Sequence, residues 1–441
     1  MRHDVSDREQ PTPQEPEAVT HRSHVTKWTH AWSALRHRDF RWLFVGTFVS
    51  NAGSWMQKVA TSWLVYQMTG SEAWLGLDAF ASGFTTVVLL PWGGVIADRI
   101  DRRTLLIWTN VISAVLAFVL AGLRATGLLH VWHIVAVSTL SGVVQAVMAP
   151  ASTSLLPAVV GEQDVPNAIA LNSLQFNLSR VVGPAAGGAA LILLGASWSF
   201  ALNGLSFLVL AVALLVITAV PPVKAAKETV FSSIKSALQF VRGRRDITIM
   251  LVLVTMTALL GAPVVSMLPP LVKAVFHREA SSYSLLLSCF GFGAVIAAAI
   301  SALQSRRGPM PWLAFPALAV LGVCQVGLGF GGPFAFAAVI IAVAGFVFVG
   351  TMIRLGTAIL QCTPDLFRGR VTSLQQIGFR AAQPAGALLA GLLARYWGIS
   401  TAFWVFGCLS LVITPILLTG KWNLRTDDSG YDGSKGDDCD E

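Results

Sequence analysis

Long apolar runs dominate the chain. They begin near Phe40, recur as far as Leu418, and are separated by short polar breaks. A helix needs about 20 residues to cross a bilayer. On that length the pattern predicts spans near 40–66, 74–97, 105–125, 131–153, 168–194 and 198–220. A polar stretch follows at 221–246, and six more spans follow near 247–272, 282–303, 312–331, 334–360, 372–394 and 398–420. The expected fold class is an all-α polytopic membrane protein with twelve transmembrane helices. The expected organisation is a tail at 1–39, a half at 40–220, a central loop at 221–246, a half at 247–420 and an acidic, disordered tail at 421–441. Phe231, Ile234, Leu238 and Val241 share one helical face beside Lys235, Arg242, Arg244 and Arg245, which predicts an amphipathic helix on the membrane surface. Residues 31–39 carry a weaker version of the same pattern.

Composition agrees with this pattern. Of 441 residues, 54% are hydrophobic and only 12% charged, where a soluble domain carries about 25%. Mean hydropathy is +0.65. An ordinary soluble enzyme, a disordered chain and a coiled coil are excluded. The net charge of +8 does not point to nucleic acid, because membrane proteins collect Lys and Arg on the cytoplasmic side. Putting Arg99, Arg102, Arg103, Arg242, Arg244 and Arg245 in the cytoplasm leaves only Arg124, Lys273, Arg278 and Arg395 outside. Both termini are then cytoplasmic and the span number is even. The polar N-terminus does not read as a cleavable signal peptide. The five cysteines are odd in number and include no CxxC pair, so neither a disulfide framework nor a zinc site is indicated.

The two halves repeat. SLQFNLSRVVGPAAGGAALIL at 173–193 lies over SLQQIGFRAAQPAGALLAGLL at 373–393 at one constant offset, and Arg38-Asp39 lies over Arg245-Asp246. Parallel halves around a midplane site are a known transporter plan.

Three stretches carry motifs. The break after the second span reads Gly94-Val-Ile-Ala-Asp98-Arg99-Ile-Asp101-Arg102-Arg103. Gly94 permits close helix approach, and Asp98 at a helix end can pair with Arg102 or cap a neighbouring helix. The fifth span carries Gly183-Pro184-Ala-Ala-Gly187-Gly188, with a proline that bends the helix and a small-residue face. Leu35-Arg-His-Arg-Asp-Phe-Arg41 is followed by Ser50-Asn51-Ala-Gly53-Ser-Trp55-Met-Gln57 and Trp63-Leu-Val-Tyr66. The first stretch resembles the G-x-x-x-D-R-x-x-R-R/K loop of the major facilitator superfamily. The second resembles the G-P-x-x-G-G element of its drug antiporters, and the third its subgroup of enterobactin exporters and macrolide-efflux proteins. The resemblance covers most of residues 31–420. It implies that Asp98 helps to lock the cytoplasmic side, with Arg99, Arg102 and Arg103 in support. The second half has Ser305-Arg306-Arg307 at the equivalent place and lacks the Asp, so a symmetrical gate is not implied. The glycines of the fifth span are equally accounted for as a packing face.

Charges inside spans cost about 2.5–3.5 kcal/mol each at a helix centre. By the predicted spans they are Lys58, Asp78, Arg180, Arg354 and Arg380. Counted from the turn near Gly70, Lys58 lies about 18 Å deep and Asp78 about 12 Å. The spacing allows an intramembrane ion pair in which Asp78 takes up a proton. A purely structural pair, or an Asp78 close to the outer headgroups, fits the same spacing. Arg180 and Arg380 match in the repeat. With Arg354 they favour an anionic or hydroxyl-rich substrate if they face a cavity, and pairing with carbonyls or Asp365 is the alternative. Asn51, Gln57, Asn172, Gln175, Asn177, Gln375, Gln376 and Gln383 add polar groups that either line a cavity or join helices. His130 and His133 lack a third metal ligand.

No GxxxxGK[ST] loop is present, so the chain itself is not expected to hydrolyse ATP. The expectation is a membrane transporter without cofactor, monomeric in the cell membrane. It would export a siderophore or drug-like amphipathic molecule, driven by protons as the resemblance implies. Uptake on the same fold stays open, as does a membrane-embedded sensor or enzyme.

Overall fold

The computed structural model describes residues 32–217, 230–304 and 310–419. The N-terminal tail, Ser305-Arg306-Arg307 and the acidic C-terminal tail lie outside the described residues. So do the side chains of Asp98, Phe231, Ile234, Lys235 and Asp365.

The described chain is helical. The first half comprises α1 (Arg38–Thr69), α2 (Glu72–Arg99), α3 (Arg102–Ala125), α4 (Val131–Leu155), α5 (Val165–Leu193) and α6 (Ala196–Val216). A short helix, α7 (Val230–Arg242), joins it to the second half. That half comprises α8 (Arg245–Ser266), α9 (Ala280–Leu303), α10 (Ala314–Gly329), α11 (Phe334–Cys362), α12 (Asp365–Trp397) and α13 (Ile399–Thr419). Eleven of the twelve long helices are long and apolar enough to cross a membrane. The exception is α1, whose 32 residues include Arg38, Asp39, Arg41 and Lys58. It packs between α5 and α6 in the same bundle, with Gly53, Met56, Val59 and Ala60 buried along it. The chain is a multi-pass membrane protein.

Helix ends follow local chemistry. Asp101 caps α3, accepting from the Thr104 amide at 2.8 Å and so satisfying one of the free amides of the first turn. Gly195 (φ +85°) and Gly398 (φ +86°) make the turns into α6 and α13. Both turns need the left-handed region that glycine enters without penalty, and their matching positions are a further trace of the repeat. Arg38-Asp39 and Arg245-Asp246 open the first helix of each half, as the repeat predicts.

Packing repeats as well. In the first half α2 packs on α4, α3 on α6 and α1 on α5; in the second, α9 packs on α11, α10 on α13 and α8 on α12. The halves meet through two equivalent contacts, α2 on α12 and α5 on α9. Small residues set these contacts. A Cβ at Gly76 would lie 2.7 Å from the Ala387 carbonyl, and one at Gly83 would collide with the Pro384 ring. Across the pseudo-symmetric contact, Gly188 faces Ser284 and Gly291 faces the Arg180 carbonyl. These contacts lie away from the Arg99–Arg103 loop, which marks the basic end of the bundle.

Two expectations are corrected. Gly94 does not allow a close approach, since a Cβ there would meet open space; its neighbour Gly93 does, against the Ala146 carbonyl of α4. Residues 31–39 are not a surface helix. Ser33–Arg36 form a single 3-10 turn with Ser33 and Ala34 buried. The Ala34 amide donates to Asn167 Oδ1 at 3.0 Å, and His37 Nε2 lies 2.8 Å from Asp164 Oδ2. The turn is pinned to the start of α5 instead of lying on lipid. Hydrogen bonds from Ser33 and then His37 hold the Asp164 carboxyl below its ordinary value of 3.8.

Two outcomes are expected. A lowered carboxyl stabilises the fold above its ordinary value and loses that contribution as pH falls through its own lowered value. Limited proteolysis near residues 32–37 should therefore accelerate below about pH 4, and Asp164→Asn should remove that pH dependence. Gly83→Val should lower stability by about 1–3 kcal/mol, whereas Gly94→Ala should change it by less than about 1 kcal/mol. Thermal unfolding in detergent checks both.

Candidate functional site

Between the halves lies a cavity of about 380 Å³, walled by α1, α2 and α4 from the first half and α8 and α12 from the second. Lys58 and Asp78 both line it. Lys58 sits on the eleventh residue before the end of α1, roughly 17 Å into the bundle, yet its side chain is exposed to the open space there. Asp78, near the start of α2, is hydrogen-bonded to Ser138 of α4. Its Oδ1 is buried without a hydrogen-bond partner in the protein. The expected contact ion pair is absent: Lys58 and Asp78 do not come within 4.0 Å of each other, unlike His37–Asp164 and Arg244–Asp246. Lys58 instead sits over the Trp55 ring, with Nζ 5.0 Å from its centroid. That cation–π contact lets an ammonium stand clear of a carboxylate without being bare.

Arg180 shares the same indole. Its guanidinium lies 5.7 Å from the Trp55 centroid and 4.8 Å from that of Phe176, with Nε buried and unpartnered. The two rings flank a cation that a purely apolar site would not hold. Arg180 does not line the cavity wall. Arg354 is also elsewhere, donating from Nη2 to Gln304 Oε1 of α9 at 3.3 Å. Arg380 is partly buried on α12 and absent from the lining.

Most of the polar candidates join helices. Asn51 donates to Gln175 Oε1 at 3.5 Å, and Gln175 donates to Asn172 Oδ1 at 3.1 Å, tying α1 to α5. Gln57 lines the cavity but also accepts from Asn203 Nδ2 of α6 at 2.7 Å. Gln375 faces Gly356 of α11. Asn177 donates to the Ser173 carbonyl of its own helix. Gln383 is left on the cavity wall with Pro384. The polar wall that residue type alone did not single out is hydroxylic: Ser54, Ser62, Ser82, Ser138, Ser141 and Ser266 all line the cavity. Serines at helical spacing look like packing residues in a sequence, and only the convergence of four helices makes them a wall.

On the side of the cavity away from the Arg99–Arg103 loop, aromatic rings of the two halves meet. Trp63 of α1 stacks on Tyr283 of α9 with centroids 6.2 Å apart, and both are buried. The Tyr283 hydroxyl is hydrogen-bonded to Ser62. Lys273, on a π-helical turn at Leu271–Val275, lies over the other side of this contact with Nζ 5.7 Å from the Trp63 centroid. Arg395 donates to Ser71 Oγ at 3.5 Å.

At the basic end, the Arg99–Arg103 loop works through backbone carbonyls. Arg103 donates to the carbonyls of Leu214 and Leu215 at 2.7 and 2.6 Å. Those groups end α6 and lack intrahelical partners. Arg102 donates to the Ser154 carbonyl at 3.4 Å near the end of α4. Arg99 is exposed at the end of α2. The second motif is a packing face in this conformation. A Cβ at Gly183 would lie 2.5 Å from Trp55 Cβ, and one at Gly187 would lie 2.9 Å from Met56 Cα, while Gly188 and buried Pro184 face the second half and the helix interior.

Residues 29–434 match the transmembrane secretion effector family. The enterobactin exporter of Citrobacter koseri is 27% identical over 409 residues, covering 89% of this chain and 94% of that protein. The staphyloferrin A transporter of Staphylococcus aureus is 22% identical over 407 residues, covering 89% and 99%. The fold is that of a D-xylose–proton symporter, with a TM-score of 0.68 at 13% identity over 88% of this chain and 97% of the other.

The Gln57–Asn203 link should behave as an interhelical tether. Alanine at both positions should cost less than the sum of the single substitutions, with a coupling of about 0.5–2 kcal/mol in a double-mutant unfolding cycle.

Proposed function

Since the chain belongs to the transmembrane secretion effector family and is a secondary transporter of the major facilitator type, we propose that it exports a small amphipathic molecule of the siderophore or drug-like class in exchange for protons. The observation that supports this reading is the placement of Lys58 and Asp78 on one inter-half cavity without contact between them. Charges cost too much in the membrane to be kept there idle, and each of these two is left available to a transported partner. The direction follows the enterobactin exporter among the relatives.

The mechanism is rocking of the two halves about their shared contacts. Trp63 on Tyr283 and Arg395 on Ser71 close one side. We take that side as external, because basic residues favour the cytoplasmic face and so support a cytoplasmic Arg99–Arg103 loop at the other end, and with it cytoplasmic termini. Substrate enters from the cytoplasm and reaches Lys58, with Arg180 over the same indole as Lys58 adding positive potential. Asp78 carries the proton on the return. The gradient does work only if substrate and proton favour different states or exclude one another. The chain acts as a monomer, each bundle enclosing its own cavity.

The test is accumulation of a labelled catecholate siderophore in inverted vesicles under an imposed proton gradient. Asp78→Asn should lower gradient-driven accumulation by at least about tenfold while leaving gradient-free exchange measurable. Arg180→Gln should weaken substrate affinity several-fold. Unchanged gradient-driven transport by Asp78→Asn would remove the carboxylate from the coupling mechanism.

A further inference from the structure

Among the described residues that line the cavity, Asp78 supplies the only negative charge and Lys58 the only positive one. From the elements packed around Asp78, α1 presents Lys58, α4 presents Ser138 and Ser141, α8 presents Ser266 and α12 presents Gln383. The electrostatics of that set constrain what can be exchanged for a proton. A purely anionic substrate at Lys58 is repelled by the Asp78 carboxylate. Protonating Asp78 removes the repulsion and tightens binding. By linkage, binding the anion then tightens the hold on the proton by the same factor. Anion and proton would travel together, which is the opposite of exchange. Exchange requires that the substrate take the position the proton takes.

We propose that the transported molecule is amphoteric. An anionic group meets the Lys58 ammonium, and a cationic or strongly donating N–H group meets the Asp78 carboxylate and displaces its proton. This inference rests on the proton-exchange reading above and adds the substrate's charge pattern to it. Two further observations carry it. Lys58 and Asp78 are held apart by more than the 4.0 Å of a contact pair, Lys58 by its seat on Trp55, so a ligand with two unlike poles can bridge them. Asp78 Oδ1 has no donor within the protein. A buried acceptor without a donor is costly and favours a proton on this carboxyl, while a cationic group at the part of Asp78 that lines the cavity favours the charged form and displaces that proton. The cavity wall also carries six serine hydroxyls, which suit the polar portion of such a molecule. The cavity of about 380 Å³ lies at the small end of the roughly 300–1,000 Å³ of ligand sites. A compact molecule, or one compact portion of a larger one, fits it.

The experiment uses the full chain in lipid nanodiscs at about pH 6, where all three probes keep their stated charges, with three probes that share a phenol ring: tyrosine, 4-hydroxyphenylpropionate and tyramine. They are respectively zwitterion, anion and cation. Tryptophan fluorescence reports binding, and an indicator dye in weak buffer reports protons released. Tyrosine should bind at least about tenfold more tightly than either single-charge probe and should release protons on binding. Asp78→Asn should abolish the release and the preference over the anion. Lys58→Gln should abolish the preference over the amine. Each variant is first checked for an unaltered unfolding temperature, and the three-probe comparison on the unsubstituted protein stands without either. Equal or tighter binding of the anion or the amine overturns the proposal, as does tyrosine binding without proton release, or failure of tyrosine to bind. These outcomes separate from the exchange reading itself. Gradient-driven siderophore transport with an anion-preferring site leaves exchange standing and removes the amphoteric substrate. A retained zwitterion preference with no gradient-driven transport removes exchange alone.

Discussion

Lipid offers no hydrogen bond. Every polar group inside the bilayer must therefore find its partner within the bundle or face a cavity. This constraint sorts the polar residues of the chain into two populations. Asn51, Gln175 and Asn172 satisfy one another, Gln57 and Asn203 do the same, and Gln325 donates to the Leu260 carbonyl at 2.6 Å. These groups lock helices within a half. Lys58, Asp78 and the serines around them converge instead on the space between the halves. The first population makes each half rigid, and the second gives the space between them its chemistry.

Rocking requires that the halves adhere without fusing. The glycines at the α2–α12 and α5–α9 contacts allow backbones to touch at Gly76, Gly188 and Gly291. Such contacts gain dispersion through close approach while interlocking few long side chains. The aromatic contact between the halves is of a different kind. Trp63 and Tyr283 meet as two nearly parallel rings, an interaction worth about a kilocalorie per mole beyond burial. It is weak enough to part when the halves reorient. At the basic end, Arg102 and Arg103 hold α4 and α6 to the start of α3. That makes the loop a clamp within the first half, on which a contact with the second half can be built.

The bundle was legible because its signals are additive along the chain. Twelve apolar runs, the offset between 173–193 and 373–393, and the Arg-Asp pairs opening each half all reflect repeated local chemistry. The site was legible only in outline. Lys58 and Asp78 stood out because charges in membrane helices are rare, and they do share a cavity. Their mutual geometry did not follow from depth along two helices, because depth says nothing about azimuth. Trp55 decides it by drawing the Lys58 ammonium onto its face. Azimuth also misplaced Arg354, which turns to Gln304, and Gly94, where the adjacent Gly93 carries the contact. The α1 helix shows the reverse case. It is not among the helices apolar enough to count as spans, yet its polar residues Ser54, Gln57, Lys58, Thr61 and Ser62 line the cavity.

The separation of Lys58 from Asp78 is itself informative. Two opposite charges in a bundle of low dielectric gain most by direct contact, where Coulomb attraction offsets the loss of hydration. A pair retained for stability alone would therefore be closed. Here the ammonium leans on an indole that also receives Arg180, and the carboxylate leans on Ser138. Each charge is held by a neutral partner weak enough to be exchanged. A cation–π contact contributes about 0.5–2 kcal/mol and a neutral hydroxyl donor about 1 kcal/mol. A carboxylate or ammonium entering the cavity would compete well against partners of that strength, and poorly against a closed ion pair. The same modest grip lets the partner leave once the halves have turned.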